Sequence, residues 1–559
     1  SDRRQAVHRL IWKKHRADFA FAVLAVLAVL LLVAKCRYGF GYYDESFYLT
    51  TAQRFWQGDA PVAQEWNLAQ FFALFTAPLV GLVEWLQGGT DGIILTFRYL
   101  YVAAQALAAV FLYWRLRRLA PLGAALAAVA FLLFAPYNIS ALSYNSLGIF
   151  FLTLAGTIVV TMQHHQTAQT AAAGVLFAAA VLCCPFLTVG YILLLILWLR
   201  RRTLPTAFFA PFTAGIAALA VVFLTIVFTR TGPILFLKGL KTMLQSTDRS
   251  SESFGAGLLF CTPAAPVLFA LLAVLTVVCW RDRARREHGA WYLLLSGLLA
   301  IGFQISFWLD SPYINFFMFS INLCAPFAVA TAGQETDRRL LRWLWAPGMI
   351  YAFAISLASN QKFYAISSAS TVAAVASIVL LARAFAALWH QRQQNPARGA
   401  LIVLALVLAV QLGSEAVMRW YGVFWQEEPA KLTVLLEEGP EAGIYTDAEL
   451  AAEYNTMLAD IEPLRTLGKE QHVLFVSRHS WLYLASPARV GGFSTWMQLN
   501  DGIREKSKDQ LGLYYDRMPE KQPDAVFVES KYPDVVEFFC GRYDYTVTET
   551  SSGWILMKA

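Results

Sequence analysis

Long apolar runs, interrupted at intervals by small groups of arginines, constrain this chain more than any other feature. A helix that crosses a bilayer needs about 20 apolar residues, and such runs recur near 18–36, 99–116, 122–138, 146–162, 170–186, 187–200, 206–229, 256–280, 289–308, 312–333, 343–358, 367–390 and 399–417. The basic groups Arg115, Arg117 and Arg118, then Arg200, Arg201 and Arg202, then Arg281, Arg283, Arg285 and Arg286 alternate with these runs. Arg338, Arg339 and Arg342, followed by Arg392 and Arg398, continue the series and mark cytoplasmic turns by the positive-inside rule. The pattern predicts a polytopic α-helical membrane protein of about thirteen transmembrane helices, with the N-terminus in the cytoplasm and the C-terminus outside. At 57% hydrophobic and 15% charged over 559 residues, the chain is too apolar for a soluble protein. The formal charge of +7 is carried beside the apolar runs, where it reads as topology, so no nucleic-acid partner is expected.

The first run, from Phe19 to Ala34, follows Arg3, Arg4, Arg9, Lys13, Lys14 and Arg16 and ends at Lys35 without a small-x-small cleavage pattern. It is read as a retained span. The short segment 170–200, with Pro185 inside it, is read as a possible broken pair. Seven cysteines show no metal-ligand spacing, so neither a structural disulfide nor a thiolate zinc site is expected.

Two polar excursions interrupt the membrane part, at 37–98 and 230–255. The first contains apolar stretches too short to span, such as Phe71 to Leu86 around Pro78, and Trp56, Trp66 and Trp85 suggest helices lying at the interface. The membrane module is placed at 1–419. Beyond it charge, Gly and Pro return, and short β-like runs at 442–445, 472–476 and 524–528 alternate with a helical stretch from Asp447 to Leu467. Residues 420–559 are therefore read as an extramembrane α/β domain. It has no glycine-rich phosphate loop, HExxH or GxSxG, and no nucleotide cofactor is expected.

The first excursion opens with Tyr42-Tyr43-Asp44-Glu45-Ser46-Phe47-Tyr48. Carboxylates beside the end of a spanning helix are expensive unless water, substrate or cations meet them, so this pair is the leading candidate site. The run Tyr43-Asp44-Glu45-Ser46-Phe47-Tyr48, then Gln64-Glu65-Trp66-Asn67, then Phe97-Arg98-Tyr99 at the head of the second span, resembles the GT-C glycosyltransferases. Within them the chain is most similar to the protein O-mannosyltransferase and lipid A aminoarabinose transferase branch.

The resemblance implies a polyprenyl-phosphate-linked sugar donor, a hydroxyl-bearing acceptor and surrounding membrane lipids as partners, with an alanine-rich, bacterial-looking composition favouring a polyprenyl carrier. Phosphate leaves readily, so one carboxylate can suffice, taking the acceptor's proton while its oxygen attacks from the opposite face. By resemblance Asp44 is that base, and Glu45 orients the acceptor or a divalent metal ion, whose presence stays open. Arg98, Arg230, Lys238 and Lys241 are candidates for the donor phosphate, Arg98 foremost because guanidinium holds phosphate through two hydrogen bonds. Lys238 and Lys241 equally suit an interfacial helix on anionic lipid. Tyr43, Glu65, Asn67, Tyr144 and Asp310 are candidates for lining the substrate cavity; a loop cap at Asp310 and a plain helix start at Tyr144 are the competing readings. An oligosaccharyltransferase would carry a Trp-Trp-Asp-Tyr-Gly signature, which is missing here. A lipid-linked polysaccharide ligase or polymerase and a lipid-glycan transporter are the alternative functions, the last expected to show midplane charges and paired halves.

Overall fold

The computed structural model describes residues 2–40, 44–162, 166–201, 205–246, 261–311, 314–358, 364–390, 397–496 and 501–559. Tyr43, His164, His165 and the stretch 247–260 lie outside the described residues. Among the described residues, eight helices are long and apolar enough to cross a membrane: Arg16–Lys35, Ile93–Leu116, Tyr144–Thr161, Thr206–Thr231, Gly289–Asp310, Glu335–Leu357, Thr371–His390 and Arg398–Tyr421. The other expected spans are shorter apolar helices, Pro121–Leu133, Thr167–Cys183, Pro185–Arg200, Ala265–Arg281 and Phe317–Ala332. The protein is a polytopic helical membrane protein with a C-terminal sheet domain.

The short helices have local causes. The run expected over 122–138 stops as a helix at Leu133, because Pro136 cannot donate a backbone hydrogen bond and opens a turn with Tyr137 and Asn138 at positive φ. The freed carbonyls of Phe131 and Phe134 are taken by the Gln105 amide, which satisfies a helix end away from water. At 170–200 the chain does break: Cys184 is extended and Pro185 starts a one-turn 3₁₀ segment.

We label the first helices α1 (Asp2–Lys35), α2 (Asp44–Trp56), α3 (Ala73–Gln87) and α4 (Ile93–Leu116). α2 and α3 form the first excursion and pack on each other, Trp56 lying against Gly81. Trp56 and Trp85 are exposed. Trp66 is buried instead, stacked at 5.7 Å on Phe493 of the C-terminal domain, so it fastens two parts of the protein and does not lie at an interface.

The C-terminal domain has a two-stranded ribbon, β1 (Val434–Leu435) with β2 (Tyr445–Thr446), and a five-stranded mixed sheet. The sheet is built from β3 (His472–Val476), β4 (Arg489–Val490), β5 (Ala525–Glu529), β6 (Tyr545–Glu549) and β7 (Gly553–Lys558), in the order β4-β3-β5-β7-β6. Alternate residues of the central strands face opposite layers: Val473, Phe475, Ala525 and Phe527 join one core, Leu474, Val476, Val526 and Val528 the other.

This domain is tied to the membrane part by backbone hydrogen bonds. Gly39 N–H donates to Tyr445 O at 2.9 Å and Tyr445 N–H to Arg37 O at 2.7 Å, extending the β1–β2 ribbon by the segment that leaves α1. Gly92 and Ile94 N–H donate to the carbonyls of Gly439 and Pro440, so the domain supplies partners for the otherwise orphaned first turn of α4.

Candidate functional site

The acidic pair sits in the first turn of α2, where a helix N-terminus favours negative charge. Its two carboxylates have different surroundings. Glu45 is buried and holds Arg98 as a fork: Arg98 Nε donates to Oε1 at 2.5 Å and Nη2 to Oε2 at 2.6 Å. The same guanidinium donates from Nη1 to Cys36 O at 2.7 Å and from Nη2 to Gly39 O at 2.6 Å. Arg98 thus clamps the end of α1, the 37–40 segment and the start of α2 together. Gly39 adopts φ +92° there, and a Cβ at this position would strike Val423.

Asp44 is partly exposed, and among the described residues no hydrogen bond or ion pair engages its carboxylate. Burial without a cation pushes its pKa up to about 6. Tyr48 and Tyr144 lie within electrostatic reach of it and meet each other edge-on at 5.8 Å, forming an aromatic wall. The structure therefore brings together Asp44, Glu45, Arg98 and Tyr144.

The remaining expected residues stand elsewhere. Glu65 is fully buried, accepting from Arg54 Nη1 at 3.0 Å and from Asn67 N–H at 3.0 Å, and burial raises its pKa. Asn67 folds its own loop, its Oδ1 accepting from Ala69 N–H at 2.8 Å. Both are held by partners within the excursion. Arg230, at the end of the Thr206–Thr231 helix, donates to the carbonyls of Phe55 (2.8 Å) and Asp59 (3.2 Å), beyond the far end of α2. At 1.5 Å rise per residue that is about 16 Å along the helix from Asp44. Lys238 and Lys241, on the Pro233–Ser246 helix, are exposed. Asp310 ends the Gly289–Asp310 helix, is exposed and accepts a hydrogen bond from Tyr364. A single phosphate beside Asp44 is out of reach of Arg230. A divalent ion shared by the acidic pair would compete with Arg98 for both Glu45 oxygens, so the pair as folded does not fit a metal site.

Several charged residues that the sequence reading passed over gather behind Arg98. Lys35 is buried and donates to Trp420 O at 2.6 Å. Arg419, also buried, donates to Asn138 O at 2.9 Å and Ser140 Oγ at 2.5 Å. Lys35, Glu45, Arg98, Asn138 and Ser140 line a cavity of about 30 Å³, room for a water or two. Glu441 of the C-terminal domain is buried near Glu45 and Arg98; burial pushes its pKa well up, Glu45 adds to this and Arg98 opposes it, and its Oε2 has no hydrogen-bond partner among the described residues. One signal for the cations was available: Lys35 and Arg419 close spans at the ends expected outside, where basic residues are disfavoured.

No family model matches the chain, and no curated protein matches it. Among solved structures it is similar to ArnT from Cupriavidus metallidurans bound to undecaprenyl phosphate, at 15% identity and TM-score 0.44, covering 96% of this chain and 97% of that one. It is similar to the archaeal oligosaccharyltransferase AglB from Archaeoglobus fulgidus, in complex with an inhibitory peptide and a dolichol-phosphate, at 12% identity and TM-score 0.44, covering 96% and 74%. It is also similar to the arabinofuranosyltransferase AftD from Mycobacteria at 15% identity and TM-score 0.43, covering 96% of this chain and 41% of that one. Likenesses at this level leave the activity to be argued from the site itself.

Proposed function

We propose that the protein is a membrane glycosyltransferase of the GT-C kind. It moves a sugar from a polyprenyl-phosphate donor to a hydroxyl acceptor on the outer side of the cytoplasmic membrane, with inversion. The observation that carries this reading is the Asp44 carboxylate, which is partly exposed, has no ion pair among the described residues, and is pushed up to about 6 by burial beside the Glu45–Arg98 clamp. A general base works best when its pKa lies near the operating pH.

In the reaction the acceptor oxygen bonds to the anomeric carbon, its proton passes to Asp44, and the carbon–oxygen bond to the lipid phosphate breaks with its electron pair leaving on phosphate. Tyr144, braced edge-on by the buried Tyr48, provides an aromatic face beside Asp44 for a sugar ring. Glu45 has a positioning role, since Arg98 fixes it and the turn that carries Asp44. The negative charge developing on phosphate calls for nearby cations, and Arg98 and Arg419 make the Glu45 side of the site the cationic one. Arg230, Lys238 and Lys241 then serve the membrane surface, where anionic headgroups suit exposed basic side chains.

The test is a transfer assay in nanodiscs with a panel of polyprenyl-phosphate sugars, on wild type and Asp44→Asn. The substitution is expected to lower transfer by about 10²–10⁴-fold while lipid-phosphate binding is kept; unchanged transfer would remove Asp44 from the chemistry. The wild-type rate should fall about tenfold per pH unit below about 6, as Asp44 takes up a proton and ceases to be a base. A flat profile from pH 5 to 7 would count against this base.

A further inference from the structure

We propose that Glu453, His479 and Glu529 form a zinc site in the C-terminal domain, at the carboxyl ends of β3 and β5. One ligand atom from each of the three lies within 4.8 Å of the others. His479 Nε2 stands 3.1 Å from Glu453 Oε1. Glu529, the last residue of β5, accepts from Ser477 Oγ at 2.9 Å through Oε2, and its Oε1 pairs with Lys531.

The donor set selects the ion. An imidazole nitrogen with two carboxylates suits zinc, whereas calcium and magnesium favour sites made of oxygen alone. Zinc bonds of about 2.0–2.2 Å put tetrahedral ligands roughly 3.4 Å apart, so the present spread has to contract by about an ångström. His479 and Glu453 already stand at that spacing, so the contraction falls between this pair and Glu529; the Glu453 side chain is 38% exposed on the Ala448–Asp460 helix, while His479 and Glu529 are buried.

Charge points the same way. The two carboxylates share Lys531 as a nearby cation, which pairs with Glu529 through Oε1 and lies over the Tyr532 ring, while Oε2 faces Ser477. With zinc in place the carboxylates are neutralised in full, a neutral His479 ligates, and Ser477 keeps Glu529 oriented as an outer partner. The carboxyl ends of parallel neighbours in an α/β sheet are where such sheets place ligands, and β3 and β5 are parallel neighbours here.

The ion would join three elements: the Ala448–Asp460 helix, the turn between β3 and the Trp481–Ala485 helix, and the end of β5. The Trp481–Ala485 helix packs on α2, so the staple braces the helix that opens with Asp44. It takes no part in transfer, and its presence does not depend on the glycosyltransferase reading.

The test uses the full chain in detergent, stripped with chelator, re-equilibrated with zinc, desalted, and assayed for bound metal and melting temperature. Wild type is expected to retain one equivalent of zinc and to melt a few degrees higher for it. His479→Ala and Glu453→Gln should each weaken zinc binding by about 100-fold or more, and Ser477→Ala by about tenfold. Glu453→Gln alters a half-exposed helix position, and its zinc-free melting temperature should match wild type, which separates loss of the site from loss of the fold. Failure of wild type to retain zinc, equal retention by both ligand variants, or binding of magnesium or calcium in its place would each overturn the assignment.

Discussion

The two ends of α2 treat charge in opposite ways. At its C-terminal end Arg54 is fully buried, with Nε on Asp59 at 2.7 Å, Nη1 on Glu65 at 3.0 Å, and Nη2 on Gly492 O at 2.8 Å, Tyr514 Oη at 3.0 Å and Gln64 O. Lys521 completes the group at 2.5 Å from Asp59. Two cations meet two acids, and burial alone would push Asp59 up, but Arg54 and Lys521 override it and hold its pKa below the usual carboxylate range. At the N-terminal end Asp44 has no such cation and its pKa rises. One end joins the excursion to the C-terminal domain; the other leaves a carboxylate with no ion pair among the described residues, the group that the proposed reaction uses as its base.

That contrast can be broken by substitution. Arg54→Ala leaves Asp59 and Glu65 buried without their guanidinium and should cost about 3–5 kcal/mol, seen as a large drop in melting temperature; a drop equal to that of an exposed arginine such as Arg338 would show the hub to be unimportant. Glu45→Gln keeps one acceptor for Arg98 but removes the charge, and about 2 kcal/mol should be lost, with transfer falling as Asp44's turn loosens. Asp44→Asn should move the other way. An acid whose folded pKa lies above its unfolded value loses stability as pH rises from the unfolded value to the folded one, so at pH 7 the amide removes that loss. A gain of about 1–2 kcal/mol is expected, discounted for partial exposure, and it should vanish near pH 4. Loss of stability in this variant would place the two ends of α2 on the same footing.

Hydropathy made the helical architecture legible, since the bilayer imposes one requirement on every span. It also marked the acidic pair, because charge is conspicuous against an apolar background. The partner of Glu45 was not legible. That pairing depends on Arg98 reaching Glu45 across 53 positions and on two loop carbonyls, which no local pattern encodes. Glu65 and Asn67 were expected at the cavity by resemblance, yet Glu65 is held by the buried Arg54, which itself reaches Tyr514 across 460 positions. The sheet's core strands β3 and β5 were visible as apolar runs, whereas the edge strand β6, mostly exposed, lacks such a run.

The ribbon formed by residues 37–39 with β2, and the carbonyls of Gly439 and Pro440 on the head of α4, have a consequence for biosynthesis. A ribosome delivers α1, α2 and α4 early, but the strand and carbonyls that complete their junction are translated hundreds of residues later. Domains otherwise tend to mature in the order in which they are made. Here the earliest-made loop is finished by late-made chain: Arg98 can clamp the turn as soon as α4 exists, but the backbone partners of residues 37–39 and of the head of α4 arrive only with the C-terminal domain.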